Sequence, residues 1–152
     1  MRIFALIAFL ATSPLVVWAT TIELTPIDRQ VADADLIVVG QVTEVTLHGR
    51  FGWRIRDPEG RTGPGLPNEL RLHVRVTRQL KGPPLKMQEL VLPMWKMWHN
   101  SLKDASDVYA ARTWIFFLNR DAKPANIAEF VHFEGELTDI EKILSQKPNP
   151  ER

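Results

Sequence analysis

From Leu36 to Val45 the chain reads Leu-Ile-Val-Val-Gly-Gln-Val-Thr-Glu-Val, an apolar, β-branched run interrupted once by Gly40. Four apolar residues in succession, Leu36 to Val39, predict a strand covered on both faces. The alternation from Gln41 to Val45 predicts its continuation with one wet face. A glycine inside a strand marks a bend or a bulge, as a small barrel needs at its corners. Such a strand must find partners on both sides, and this commits the chain to a β-rich fold.

The partners are visible downstream. Leu70, Leu72, Val74 and Val76 alternate with Glu69, Arg71, His73, Arg75 and Thr77, which predicts a half-buried strand. Leu80-Lys81-Gly82-Pro83-Pro84 turns the chain. Leu90, Leu92 and Met94 alternate again, and Pro93 ends that strand or sets it at an edge. Thr113-Trp114-Ile115-Phe116-Phe117-Leu118 is the most hydrophobic strand after the first twenty residues, and Phe130-Val131-His132-Phe133 is a fifth. Residues 48–68, rich in Gly, Pro and Arg, are read as one long loop. Residues 95–110, Trp-rich and then rich in Ser, Asp and Lys, fit no single pattern.

Two helices flank the strands. Thr25-Pro26-Ile27-Asp28 has the form of a helix start, with a hydroxyl at the N-cap, proline at the first helical position and an acid in the first turn. Ile27, Val31 and Ala34 would share its buried face. At the other end Thr138 and Glu141 form a candidate capping box ahead of the stripe Ile140, Ile143 and Leu144. Residues 146–152 are expected to be disordered. Five strands and two short helices favour a small β-barrel over a sandwich.

The N-terminus carries an address. Arg2 is followed by an apolar stretch from Ile3 through Val17, broken by Ser13-Pro14, and then by Val17-Trp18-Ala19. This is the form of a cleavable signal peptide over 1–19, with a mature chain starting at Thr20. Residues 20–145 then form a single domain in a periplasmic or secreted protein. An uncleaved anchor is the competing possibility, but the stretch falls short of the roughly 20 apolar residues a spanning helix needs. The whole chain has 19 Lys plus Arg against 18 Asp plus Glu, and losing Arg2 leaves a formal charge of zero. A balanced chain exerts no long-range pull on nucleic acid or anionic lipid. There is no cysteine, so the fold relies on its core alone and the chain has no lipid-modified N-terminal cysteine.

Three phrases in order, Ala34-Asp35-Leu36-Ile37-Val38-Val39-Gly40-Gln41-Val42, Val76-Thr77-Arg78-Gln79-Leu80-Lys81-Gly82 and Thr113-Trp114-Ile115-Phe116-Phe117-Leu118, resemble bacterial exported domains of the netrin-like, tissue-inhibitor-like OB-fold type. The resemblance covers most of residues 25–145. It implies a mainly β chain folded as a small five-stranded OB-like barrel, with a short N-terminal and a C-terminal helix, and a binding role rather than catalysis. One departure is that a glycine is usual shortly before the hydrophobic strand, where Ala111 or Arg112 stands here. The animal inhibitors of this type chelate a protease's zinc through an N-terminal cysteine, and that mechanism is excluded in a chain without cysteine.

Within 48–68, Arg50, Phe51, Trp53, Arg54 and Arg56 interleave cations with aromatic rings, a mixture suited to stacking and to pairing with anionic groups. The competing possibility is a loop whose Phe51 and Trp53 fold back over the barrel mouth. Arg71, His73 and Arg75 lie two apart and project from one sheet face, as a ligand platform or simply as a wet face. In Met94-Trp95-Lys96-Met97-Trp98-His99, packing is the ordinary role for Met and Trp. Trp95 and Trp98 could also form a partner patch, and Met94, Met97 and His99 could hold copper.

His48, His73, His99 and His132 show no metal-protease spacing, and no nucleophile-elbow or phosphate-loop motif is present. The expectation is an exported, non-enzymatic module, without a cofactor, that binds a protein or peptide partner in the cell envelope. An anionic glycan or oligonucleotide, or copper, is the alternative ligand.

Overall fold

A computed structural model describes residues 24–146. The expected signal peptide, the expected new N-terminus at Thr20 and residues 147–152 of the expected tail lie outside the described residues. Gln146, assigned to that tail from sequence, is instead the last residue of a helix.

The chain forms α1 (Ile27–Asp33), β1 (Leu36–His48), β2 (Arg54–Ile55), β3 (Glu69–Lys81), β4 (Glu89–Pro93), α2 (Leu102–Tyr109), β5 (Thr113–Leu118), β6 (Val131–Phe133) and α3 (Leu137–Gln146), with a 3-10 turn at Glu134–Glu136. All pairings are antiparallel, in the order β4-β3-β1-β5-β6, with β2 added to the end of β1. Because β5 returns to lie beside β1, strands β5-β1-β3-β4 have Greek-key order. Among the described residues no ladder joins β4 to β6. The architecture is thus a mainly β, six-stranded antiparallel sheet with a helix at each end.

The five strands expected from alternation are present, and β4 is an edge strand that stops at Pro93. Gly40 sits at one of three register shifts in the β1–β3 ladder, so the expected bulge is present. A β-carbon there would stand 2.5 Å from Val74 Cγ1 and 2.9 Å from the Arg75 carbonyl oxygen, which explains why the position has no side chain.

The sheet has two apolar faces. Leu36, Val38, Val42, Val45 and Leu47 of β1 join Leu70, Leu72, Val74, Leu90, Leu92, Trp114, Phe116 and Leu118 in the main core. Ile37, Val39, Ile115 and Phe117 point the other way and are covered by Val31 of α1 and Ile140 of α3, with Ile27, Leu137, Ile143 and Leu144 around them. Leu36–Val39 is therefore buried on both faces, as its unbroken apolar run demands. α1 and α3 cover the N-terminal half of β1, the adjoining β5 and the end of β3 at Arg78 and Leu80. Further along, the same outer face of the sheet is open.

Both helix starts differ from expectation. Pro26, not Thr25, occupies the N-cap of α1 and no side chain caps it; the Pro26 carbonyl instead accepts from the Arg29 and Gln30 amides at 3.0 Å. The 3-10 turn at Glu134–Glu136 leads directly into α3, which places Thr138 inside the helix, and Glu141 bonds to Arg78 of β3 instead of closing a capping box. The stretch 95–110 contains a third helix, α2. Ser101 caps it by accepting from the Asp104 amide at 3.0 Å.

Residues 48–68 are not one free loop. The first part is a hairpin closed by β2. The second is stitched to α2, where the Gly60 and Pro58 carbonyls accept from the Leu102 and Lys103 amides at 2.9 Å, satisfying two of the unpaired donors of that helix start. Thr62 is buried and donates to the Trp98 carbonyl at 2.6 Å. No helix among the described residues is long and apolar enough to cross a membrane.

Candidate binding face and hairpin

The open half of the outer face is built by strand alternation. While Val45, Leu47, Leu70, Leu72, Val74, Leu90 and Leu92 point into the core, Glu44, Thr46 and His48 of β1 and Glu69, Arg71, His73 and Arg75 of β3 lie on the other side. Across the ladders His48 faces Glu69, Thr46 faces Arg71, Glu44 faces His73, and His73 faces the exposed Val91 of β4. The expected grouping of Arg71, His73 and Arg75 is present, and Arg54, paired with His48 in register, joins it.

The hairpin rises from one end of this face. Leu47 pairs with Ile55 and His48 with Arg54. The turn is closed by the Gly49 amide donating to the Trp53 carbonyl and the Gly52 amide to the Gly49 carbonyl, each at 2.9 Å. Gly52 has φ of +83°, a left-handed conformation that glycine adopts without penalty. Phe51 and Trp53 occupy the tip at 76% and 56% exposure, so they do not fold back over the sheet. Their ring centroids are 5.2 Å apart with planes tilted by 40°, and the Arg50 guanidinium lies 5.9 Å from the Phe51 centroid. Arg50 and Arg56 are exposed beside them.

Charge on the face is mostly balanced locally. Arg54 pairs with Glu44. Glu69 accepts from Arg71 Nε at 2.6 Å and lies 3.2 Å from Lys96 Nζ. Burial pushes the Glu69 carboxyl upward, but the hydrogen bonds and charges of Arg71 and Lys96 outweigh it and hold the group below the usual glutamate range. His48 Nδ1 is 3.0 Å from the Gly52 carbonyl and Nε2 3.0 Å from Thr46 Oγ1, while His73 Nε2 approaches the same hydroxyl at 3.0 Å. Because a carbonyl only accepts, His48 donates through Nδ1. A neutral ring then accepts from Thr46, which accepts in turn from His73. This chain ties the sheet face to the hairpin turn.

The second aromatic run lies elsewhere. Trp95 and Trp98, with centroids 5.7 Å apart, line an apolar cleft with Met94, Tyr109, Ile127 and Phe130, where the end of β4 faces the approach to β6. Met94 is buried in the main core, Met97 is exposed, and the His99 ring lies so close to Gly63 that a β-carbon there would come within 2.5 Å of Nδ1. The three expected copper ligands therefore sit in different environments. Among the described residues no three of His, Asp and Glu are grouped as a metal would need.

Two features escaped sequence reading. Tyr109, Trp114 and Phe133 form a column with centroids 5.0 Å apart at each step, and its outer ring, Phe133, is exposed. His132, Glu136, Gln30 and Glu129 form a polar cluster joining residues more than a hundred positions apart. Tyr109–Trp114 and His132–Glu136 are close in sequence, but Phe133 reaches Trp114 only through β5–β6 pairing and Gln30 reaches His132 only through the docking of α1.

A scan against models of protein families and a comparison with curated proteins found no match to this chain.

Proposed function

We propose that this protein is an exported, non-enzymatic binding domain that holds a protein or peptide partner in the cell envelope, in the periplasm or outside the cell. Its contact element is the β1–β2 hairpin with the adjoining outer face. The observation that carries this reading is the exposed, mutually stacked pair Phe51 and Trp53 at a turn held on both sides by hydrogen bonds. Burying a large apolar side chain contributes roughly 1.5–3 kcal/mol, whereas an exposed ion pair contributes about 0–1 kcal/mol. The two rings therefore outweigh the surrounding charges as a source of affinity, and such rings are the residues from which protein-binding hot spots are made.

An OB-like barrel resembling the netrin-like domains is the fold that accompanies this reading. It is supported by the Greek-key order, the bulged β1 paired on both edges and the position of the hairpin between the first two long strands. The glycan or oligonucleotide alternative is less favoured because Arg54 and Arg71 are already engaged by Glu44 and Glu69. A strongly anionic polymer would have to displace those carboxylates.

The test is capture from envelope extract with residues 20–152 as bait, beside a Phe51→Ser/Trp53→Ser double variant. One protein enriched by the wild type and lost from the variant is the expected result. Identical captures from both would overturn the hairpin assignment. Binding of an acidic polysaccharide that weakens steeply with salt would favour the anionic ligand instead.

A further inference from the structure

The best-defined titratable site outside the binding face is His132, whose side chain is only 13% exposed. Nδ1 lies 2.8 Å from Glu136 Oε2. Nε2 lies 2.8 Å from Gln30 Oε1 and 3.1 Å from the Glu129 carbonyl oxygen. The orientation of the Gln30 amide is set independently, because its nitrogen donates to the Thr25 carbonyl at 2.7 Å, leaving its oxygen toward the imidazole. Every neighbour of the ring nitrogens is thus an acceptor. Acceptors on both nitrogens require a proton on both, so the ring and its carboxylate are arranged as an imidazolium–carboxylate pair.

We propose that His132 is a proton-operated clamp that holds α1 and the chain leading into it against the β6 corner. This does not rest on the binding function above. The clamp joins α1 through Gln30, the turn before β6 through Glu129, and the 3-10 turn through Glu136, while the edge of the ring packs on Phe117 at 4.5 Å and 83°. The Glu129 carboxylate strengthens the same junction by accepting from the Thr25 amide at 3.1 Å and from Asn126 at 3.0 Å. Charged groups around the ring are Glu136 and Glu129, with Asp33 of α1 further along the cleft beside Gln30 and Arg29 of α1 lining the next cleft, 3.8 Å from Asp33.

Loss of the proton must leave one ring nitrogen with a lone pair facing oxygen. The Nδ1–H bond to a carboxylate is charge-assisted and the stronger of the two. The proton is therefore lost from Nε2, and the link to Gln30 on α1 is the one that fails. The clamp is closed while both ring nitrogens carry protons and opens when the Nε2 proton is lost.

The experiment uses the mature chain and two NMR readouts. Nitrogen shifts of the His132 ring are recorded at pH 6 and 9. Exchange of the Ala34 amide, which bonds to the Gln30 carbonyl at 3.0 Å, is measured against β1 amides after correction for intrinsic base catalysis. Both nitrogens protonated at pH 6, Nδ1 alone protonated at pH 9, and Ala34 exchange several-fold faster relative to the β1 amides at the higher pH is the expected result. In Gln30→Met, Ala34 should exchange fast at both pH values while the ring keeps Nδ1 protonated. A single neutral tautomer at pH 6, or Ala34 exchange that tracks β1 at both pH values, overturns the proposal. The wild-type measurements decide the matter even if the variant folds poorly.

Discussion

Gly40 and Val74 meet across the β1–β3 ladder so closely that a β-carbon on the glycine would stand 2.5 Å from Val74 Cγ1. Gly40 is also paired to Val76 on one side and Trp114 on the other, so its backbone cannot retreat without disturbing both ladders. Val74 is 1% exposed and belongs to the main core with Leu72, Leu90 and Leu92.

Gly40→Ala should therefore destabilise the domain by about 1–3 kcal/mol, the usual cost of overpacking a filled interior. Urea unfolding checks this: the midpoint should fall with little change in slope. An unchanged midpoint would mean that the strands separate more easily here than their pairing indicates.

Ala111 has φ of 59°, left-handed backbone that non-glycine residues adopt at a cost. Its amide donates to the Val42 carbonyl at 2.8 Å and its neighbour Arg112 accepts from the Val42 amide at 3.0 Å, so the conformation is set by the turn from α2 into β5. Ala111→Gly should stabilise by roughly 0.5–1 kcal/mol, strain relief exceeding the added unfolded-chain entropy. Thermal unfolding gives the sign directly.

Glu69 is held below the usual glutamate range by Arg71 and Lys96, against the opposing effect of burial. A lowered folded-state value means that the carboxylate contributes stability at pH above its unfolded value and loses it as pH falls through the folded one. Glu69→Gln should cost about 1 kcal/mol at neutral pH, since both cations are partly exposed. Its stability should also fall less than that of the wild type as the solution is acidified below the ordinary glutamate range. Parallel stability–pH curves for the two proteins would remove Glu69 from the acid response.

Phe51→Ser/Trp53→Ser should leave stability within about 0.5 kcal/mol of wild type, because both rings are mostly in solvent and neither belongs to a core. Calorimetry checks this. A large loss would mean that the rings support the sheet, and the capture experiment would then need a milder variant.

Much of the fold is legible in the chain because alternation is a local consequence of strand geometry. Leu70, Leu72 and Val74 are buried and Arg75 exposed for the same reason that they alternate. The double-sided burial of Leu36–Val39 follows from four apolar residues in a row. The helix starts were less legible: Thr25 and Thr138 have capping side chains, but whether a helix begins at one residue or the next depends on what packs around it. Glu141 reaches Arg78 of β3, more than sixty residues away in sequence, instead of a local amide.

By itself the sequence determined the strand segments other than β2, the two apolar stripes of the flanking helices, the break at Gly40 and the mixing of aromatic rings with arginines over 50–56, since each is written in residues a few positions apart. Only the tertiary structure decided that β5 returns to β1, that 58–62 joins α2, that Arg54 and Arg71 are engaged by carboxylates, and that His132 meets Gln30. These are meetings between distant parts of the chain, chosen by which apolar faces bury one another, and no local pattern encodes them.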